Sequence, residues 1–111
     1  MRFKQLMEES RDRKQSNIVL ALDSVPPATN NLLSASLRIL RKVHPYICAV
    51  KLNRQLLLPL GLQRGIREII KESHRLDLPV IMDCKINDIG YTNRVIAENY
   101  FDAGFDAVTA N

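Results

Sequence analysis

A chain of 111 residues with 46% hydrophobic content holds one modest core, near the common domain size. Its longest uncharged run, Ser24 to Leu37, is broken by Pro26, Pro27, Asn30 and Asn31, which excludes a membrane span or a secretory leader and predicts a cytoplasmic protein. The net charge of +4 comes from sixteen basic residues interspersed with twelve acidic ones, and the local clusters Arg11, Arg13, Lys14 and Arg38, Arg41, Lys42 read as solvated helix faces without aromatic interleaving, so no nucleic-acid partner is expected.

Phe3 to Lys14 reads as a short amphipathic helix with Phe3, Leu6 and Met7 on one side. Asn17 to Leu22 (NIVLAL) suits a strand buried on both faces, ended by Asp23 and a Ser24-Val-Pro-Pro loop. From about Asn30 to Val43 the period changes, with Leu33, Leu37 and Leu40 at helical spacing, and Pro45 stops that helix. Tyr46 to Leu52 (YICAVKL) is a second strand. Gln63 to Arg75 is a second helix, with Ile66, Ile69 and Ile70 inward and Arg64 to Glu68 as an i,i+4 pair outside. Pro79 to Lys85 (PVIMDCK) is a third strand. Thr92 to Ala103 is a third helix with Val95, Ile96 and Tyr100 at core spacing, ended by Gly104. Asp106 to Ala110 is a fourth strand. Cys48 and Cys84 each lie in an apolar stretch and read as reduced core residues.

Strands alternating with helices predict an α/β fold of parallel βαβ units with right-handed crossovers. No G-x-G-x-x-G follows the first strand, so a dinucleotide-binding sheet loses its main support. The leading architecture is the first four strands of a TIM-type (β/α)8 barrel, preceded by an N-terminal helix. A complete barrel takes about 250 residues, so residues 1–111 are expected to form its N-terminal half, with strands five to eight outside this chain. Unpaired edges on the first and fourth strands then call for a complementary partner.

In such a barrel the chemistry sits at the C-terminal ends of the strands. Those ends carry Asp23, then Lys51 and Asn53, then Asp83, Lys85 and Asp88, and finally Asn111. Period-two alternation puts Ile81, Asp83 and Lys85 on one face of the third strand and Val80, Met82 and Cys84 on the other. With the apolar set under the helices, Asp83 and Lys85 point into the barrel mouth. The same parity puts Lys51 with Ala49, and Asp23 with Ala21 and Val19. Two carboxylates and two ammonium groups around one cavity offer positioned anions and lysines able to transfer a proton. A salt-bridge network closing the barrel would use the same residues. Asp23 also suits a turn before Ser24, Thr92 equally suits a helix N-cap, and His44 and His74 read as solvent-facing.

The stretch Asp83-Cys-Lys85-Ile-Asn-Asp88-Ile89-Gly-Tyr-Thr92 resembles the D-x-K-x-x-D-I-x-x-T signature of orotidine 5′-monophosphate decarboxylases. LALD at Leu20 to Asp23 and AVKLN at Ala49 to Asn53 match that family's first and second strand ends in order. The resemblance implies that Asp23 and Lys51 hydrogen-bond the ribose hydroxyls of orotidine 5′-phosphate. It places Asp83 beside the scissile carboxylate and makes Lys85 the proton donor to C6. It implies that Asp88, with Ile89 and Thr92, reaches across a homodimer interface into the neighbouring active site, and that no cofactor is required. Asn111 falls where relatives carry histidine or asparagine. The phosphate grip would belong to a C-terminal half, without which activity is not expected. Two alternatives stand beside this one. The first is a Mg²⁺-dependent 3-hexulose-6-phosphate synthase or 3-keto-gulonate-6-phosphate decarboxylase of the same superfamily, which has an acidic residue where this chain has Lys51. The second is a non-enzymatic half-barrel assembly module.

Overall fold

A computed structural model describes residues 2–22, 32–87 and 90–110. In chain order the elements are α1 (Phe3–Lys14), β1 (Val19–Leu22), α2 (Leu32–Val43), β2 (Ala49–Asn53), α3 (Arg54–Leu60), α4 (Ile66–Arg75), β3 (Val80–Ile86), α5 (Gly90–Ala103) and β4 (Ala107–Ala110). The four strands form one parallel sheet in the order β1-β2-β3-β4. A doubly wound sheet reverses its strand order at a switch point. This sheet does not, and the helices that follow its strands pack against one face, which is the arc of a (β/α) barrel.

Alternation explains which face is covered. Val50 and Leu52 of β2 and Val80 and Met82 of β3 are completely buried, and Cys84 and Ile86 nearly so. They meet Leu40 of α2, Leu56 of α3, Ile66, Ile69 and Ile70 of α4, and Tyr100 of α5 in a single core. The opposite face carries Val19, Ala21, Ala49, Lys51, Asn53, Ile81, Asp83 and Lys85, and of these Ala49 alone is fully buried. The expected assignment of the two faces of β3 is therefore correct. Both cysteines are buried free thiols.

α1 closes the N-terminal ends of the strands through polar anchors. Ser10 Oγ donates to the Cys48 carbonyl just before β2 (2.6 Å), Lys14 Nζ to the Leu76 carbonyl (2.9 Å) and Arg13 Nη2 to the Asp77 carbonyl (2.8 Å), both just before β3. Part of the first basic cluster thus anchors this helix. α2 ends at Val43 and passes into a 3₁₀ turn, His44–Tyr46, with Pro45 in its first positions.

Four local expectations are corrected. The helical run before β3 begins at Arg54 rather than Gln63, because Asn53 caps α3 by accepting from the Gln55 and Leu56 amides. α3 contains Pro59 and continues through a π turn, Gly61–Gly65, into α4. A side chain at Gly65 would lie 2.8 Å from Leu60 Cβ, so the turn closes only on glycine. Glu68 pairs with Lys71 rather than Arg64. Val95 is 38% exposed and outside the core, whereas Ile96 and Tyr100 face inward with Ala97 and Ala103. His44 is half-buried with Nδ1 enclosed and unpartnered among the described residues, not solvent-facing. Gly104 ends α5 with φ 114°, as anticipated. Among the described residues no helix is long and apolar enough to cross a membrane.

Candidate active site

β2, β3 and β4 bring four side chains together on the helix-free face. Lys51 and Asp83 occupy neighbouring strands, with Lys51 paired in register to Ile81 and Asn53 to Asp83. Lys51 Nζ therefore approaches Asp83 Oδ2 diagonally, at 3.7 Å. Lys85, two residues beyond Asp83 on the same face, brings Nζ to 2.8 Å from Oδ1. Thr109 of β4 donates its hydroxyl to the same Oδ1 at 2.9 Å.

The Asp83 side chain keeps only 16% of its exposure, whereas Lys51 and Lys85 keep 38% and 55%. The carboxylate is thus shielded behind two ammonium groups that remain open to a ligand. The Lys85 hydrogen bond, then the Thr109 hydroxyl, and then the charges of both lysines hold the Asp83 carboxyl below the usual carboxylate range, outweighing its partial burial. A group kept ionised this way can orient a cation or repel a second anion.

The backbone here is irregular. Lys85 has φ 50°, in the left-handed region that a non-glycine residue occupies only at a cost of about 1–3 kcal/mol. The β3–β4 register jumps from Met82↔Val108 to Ile86↔Ala110, placing the irregularity around Asp83, Cys84 and Lys85. Burial raises the Cys84 thiol on the opposite face.

Lys51, Asp83 and Lys85 are thus brought together. Thr92 lies in the first turn of α5 rather than at its cap. Asp23, Asp88, Ile89 and Asn111 lie outside the described residues. Asn53 turns its side chain to the α3 amides and serves as a cap. Thr109 went unnoticed in the sequence, although the alternation of the fourth strand, with Ala107 and Thr109 on one face, would have found it.

The chain's similarities coincide with this geometry. The profile of the orotidine 5′-phosphate decarboxylase / HUMPS family matches residues 16–111. The orotidine 5′-phosphate decarboxylase of Thermococcus kodakarensis is 36% identical over 105 residues, 95% of this chain and 42% of that protein. That of Methanosarcina mazei is 42% identical over 73 residues, 66% of this chain and 30% of that protein. Orotidine 5′-phosphate decarboxylase from Pyrococcus horikoshii superposes with a TM-score of 0.67 at 36% identity, over 81% of this chain and 38% of that one. The Leishmania donovani enzyme gives 0.75 at 25% identity, over 99% and 44%. The chain spans less than half the length of these relatives. Four parallel strands in barrel order, the Asp83–Lys85 pair at their open face and a profile match from residue 16 onward have one common explanation: the chain belongs to the orotidine 5′-phosphate decarboxylase / HUMPS family.

Proposed function

We propose that this chain supplies the N-terminal half of a cofactor-independent decarboxylase acting on orotidine 5′-phosphate. The observation that carries the reading is the Asp83 carboxylate bracketed by Lys51 and Lys85. In this scheme the bond between C6 of the pyrimidine and its carboxylate breaks, the electron pair stays at C6, and carbon dioxide leaves. Lys85, as ammonium, stabilises the negative charge at C6 and delivers its proton there, giving uridine 5′-phosphate. Asp83 lies beside the departing carboxylate and keeps Lys85 aimed at C6. Asp23 and Lys51 hold the ribose hydroxyls. Asp88, Ile89 and Thr92 complete the neighbouring site in a homodimer.

The active unit is this chain together with a C-terminal half that grips the phosphate, since binding energy from that remote group drives the chemistry. Coverage of 42% and 38% of two relatives supports the division. Lys51 also separates this reading from the Mg²⁺-dependent one, because an ammonium supplies the charge that a metal would bring to an acidic residue at this position.

The test combines the chain with a C-terminal half taken from a relative and follows conversion of orotidine 5′-phosphate. Uridine 5′-phosphate should form only when both halves are present, and a chelator should not slow it. Loss of turnover with the chelator, activity on a 3-hexulose 6-phosphate instead, or a folded but inert assembly would each reject the reading.

A further inference from the structure

Thr109 faces the irregular part of β3. Between the anchors Met82↔Val108 and Ile86↔Ala110, the residues Asp83, Cys84 and Lys85 oppose Thr109 alone. The surplus is absorbed where Lys85 turns to φ 50°, and there its amide donates to a side chain, Thr109 Oγ1, at 3.0 Å. The single hydroxyl hydrogen goes to Asp83 Oδ1 at 2.9 Å, so one oxygen accepts from the Lys85 main chain while donating to the Asp83 side chain. The Thr109 carbonyl lies 3.5 Å from Cys84 Sγ. Every residue of the irregular stretch is therefore tied to Thr109.

Asp83 Oδ1 already receives Lys85 Nζ at 2.8 Å. A second donor on that oxygen fixes the rotation of the carboxylate and leaves Oδ2 toward Lys51. A threonine is suited to this role because its branched Cβ restricts χ1 and keeps the hydroxyl in one direction.

We infer that Thr109 is a positioning residue for the proposed decarboxylation, its hydroxyl locking the Asp83 carboxylate and the Lys85 main chain into the one arrangement that aims the Lys85 ammonium at the reacting carbon. The inference rests on the reading of the site given above. Without the hydroxyl the Lys85 amide loses its partner and Asp83 can turn, so the ammonium is misplaced without loss of any group that touches the substrate.

The test uses Thr109→Val and Thr109→Ser in the assembly that turns over orotidine 5′-phosphate. Thr109→Val should lower kcat about ten- to hundredfold, the scale of a small misplacement at a reacting centre, while KM moves less than about threefold. The acidic limb of its pH profile should shift upward, since Asp83, faced by Lys51, Lys85 and Thr109, loses a donor to its charged form. Thr109→Ser should stay within about threefold of wild type. Should Thr109→Val fold poorly, Thr109→Ala against Thr109→Ser isolates the hydroxyl, with the same split expected. A valine variant with wild-type kcat and an unmoved acidic limb would overturn the inference. If the wild-type assembly does not decarboxylate, the proposed function fails by itself. The lock is then judged by NMR: faster exchange of the Lys85 amide and an upward Asp83 titration in Thr109→Val but not Thr109→Ser support it, and identical behaviour in both overturns it.

Discussion

Among the described residues two carboxylates are each bracketed by two cations, and the two sites differ in exposure, cation type and backbone. Glu72 of α4 is almost fully buried and pairs with Arg41 of α2, at 2.5 Å, and with Arg75 one turn along its own helix. Asp83 pairs with Lys51 and Lys85 on the open face of the sheet. Both carboxyls are held below their usual range, Glu72 by Arg75 first and then Arg41, Asp83 by Lys85 first and then Thr109. A depressed carboxyl is therefore no guide to function here. The Glu72 site lies in regular helix and uses guanidinium groups, which do not give up a proton near neutral pH. The Asp83 site uses ammonium groups, left-handed backbone and a broken register. One arrangement ties two helices together, and the other is the proposed active site.

Exchanging the cation types should separate the sites most sharply. Lys85→Arg keeps the charge beside Asp83 but supplies no transferable proton, and turnover of the assembled enzyme should fall by about 10³ or more. Arg75→Lys at the other site should leave kcat within about twofold. Steady-state kinetics on the pair decides it. Next in size, Glu72→Gln should leave kcat unchanged and lower stability by about 1–3 kcal/mol in denaturant melts, because the buried negative charge and one of the two oxygens that accept from the guanidinium groups are lost.

Acidification provides a smaller contrast. Both carboxyls are depressed in the fold, so each contributes stability that is present above its unfolded value near 4 and is lost as the pH falls through the folded value. Melting temperatures should drop as pH decreases below about 4, and the drop should shrink in Glu72→Gln and in Asp83→Asn. The smallest effect belongs to His74, whose Nε2 lies 2.8 Å from Asp106 Oδ2, an oxygen that also accepts the Val80 amide at 2.8 Å. Asp106 raises the His74 pKa, so this pair stabilises fully below about 6.5 and loses its contribution as pH rises through the folded value. His74→Gln should flatten the decline in melting temperature across that window and leave the acid-side loss intact.

What the sequence discloses follows the same division. Asp83, Lys85 and Lys51 were legible because strand parity has a period of two and charges rarely end apolar strands without purpose. The α3 helix was not, since proline and glycine, here Pro59, Gly61 and Gly65, are residue types that ordinarily interrupt a helix, and the Asn53 cap and the π turn accommodate them. The Glu72 clamp spans 31 residues between its partners Arg41 and Glu72, a separation over which no periodicity carries information. For Thr109, alternation gives the face of the sheet, but its contacts with Asp83 and the Lys85 amide depend on the irregularity at Lys85, which the sequence does not announce. Alternation gives a direction for each side chain, but register shifts decide which neighbours it meets.

The most direct test of the central claim, that the Asp83 cluster is catalytic rather than a closure of the sheet, is to measure substrate affinity and turnover together in the Lys85→Ala assembly. Orotidine 5′-phosphate should still bind within about tenfold of wild type while decarboxylation falls by more than about 10³, because the proton source is gone and the remaining grip is not. A Lys85→Ala assembly that decarboxylates within about tenfold of wild type would contradict the claim.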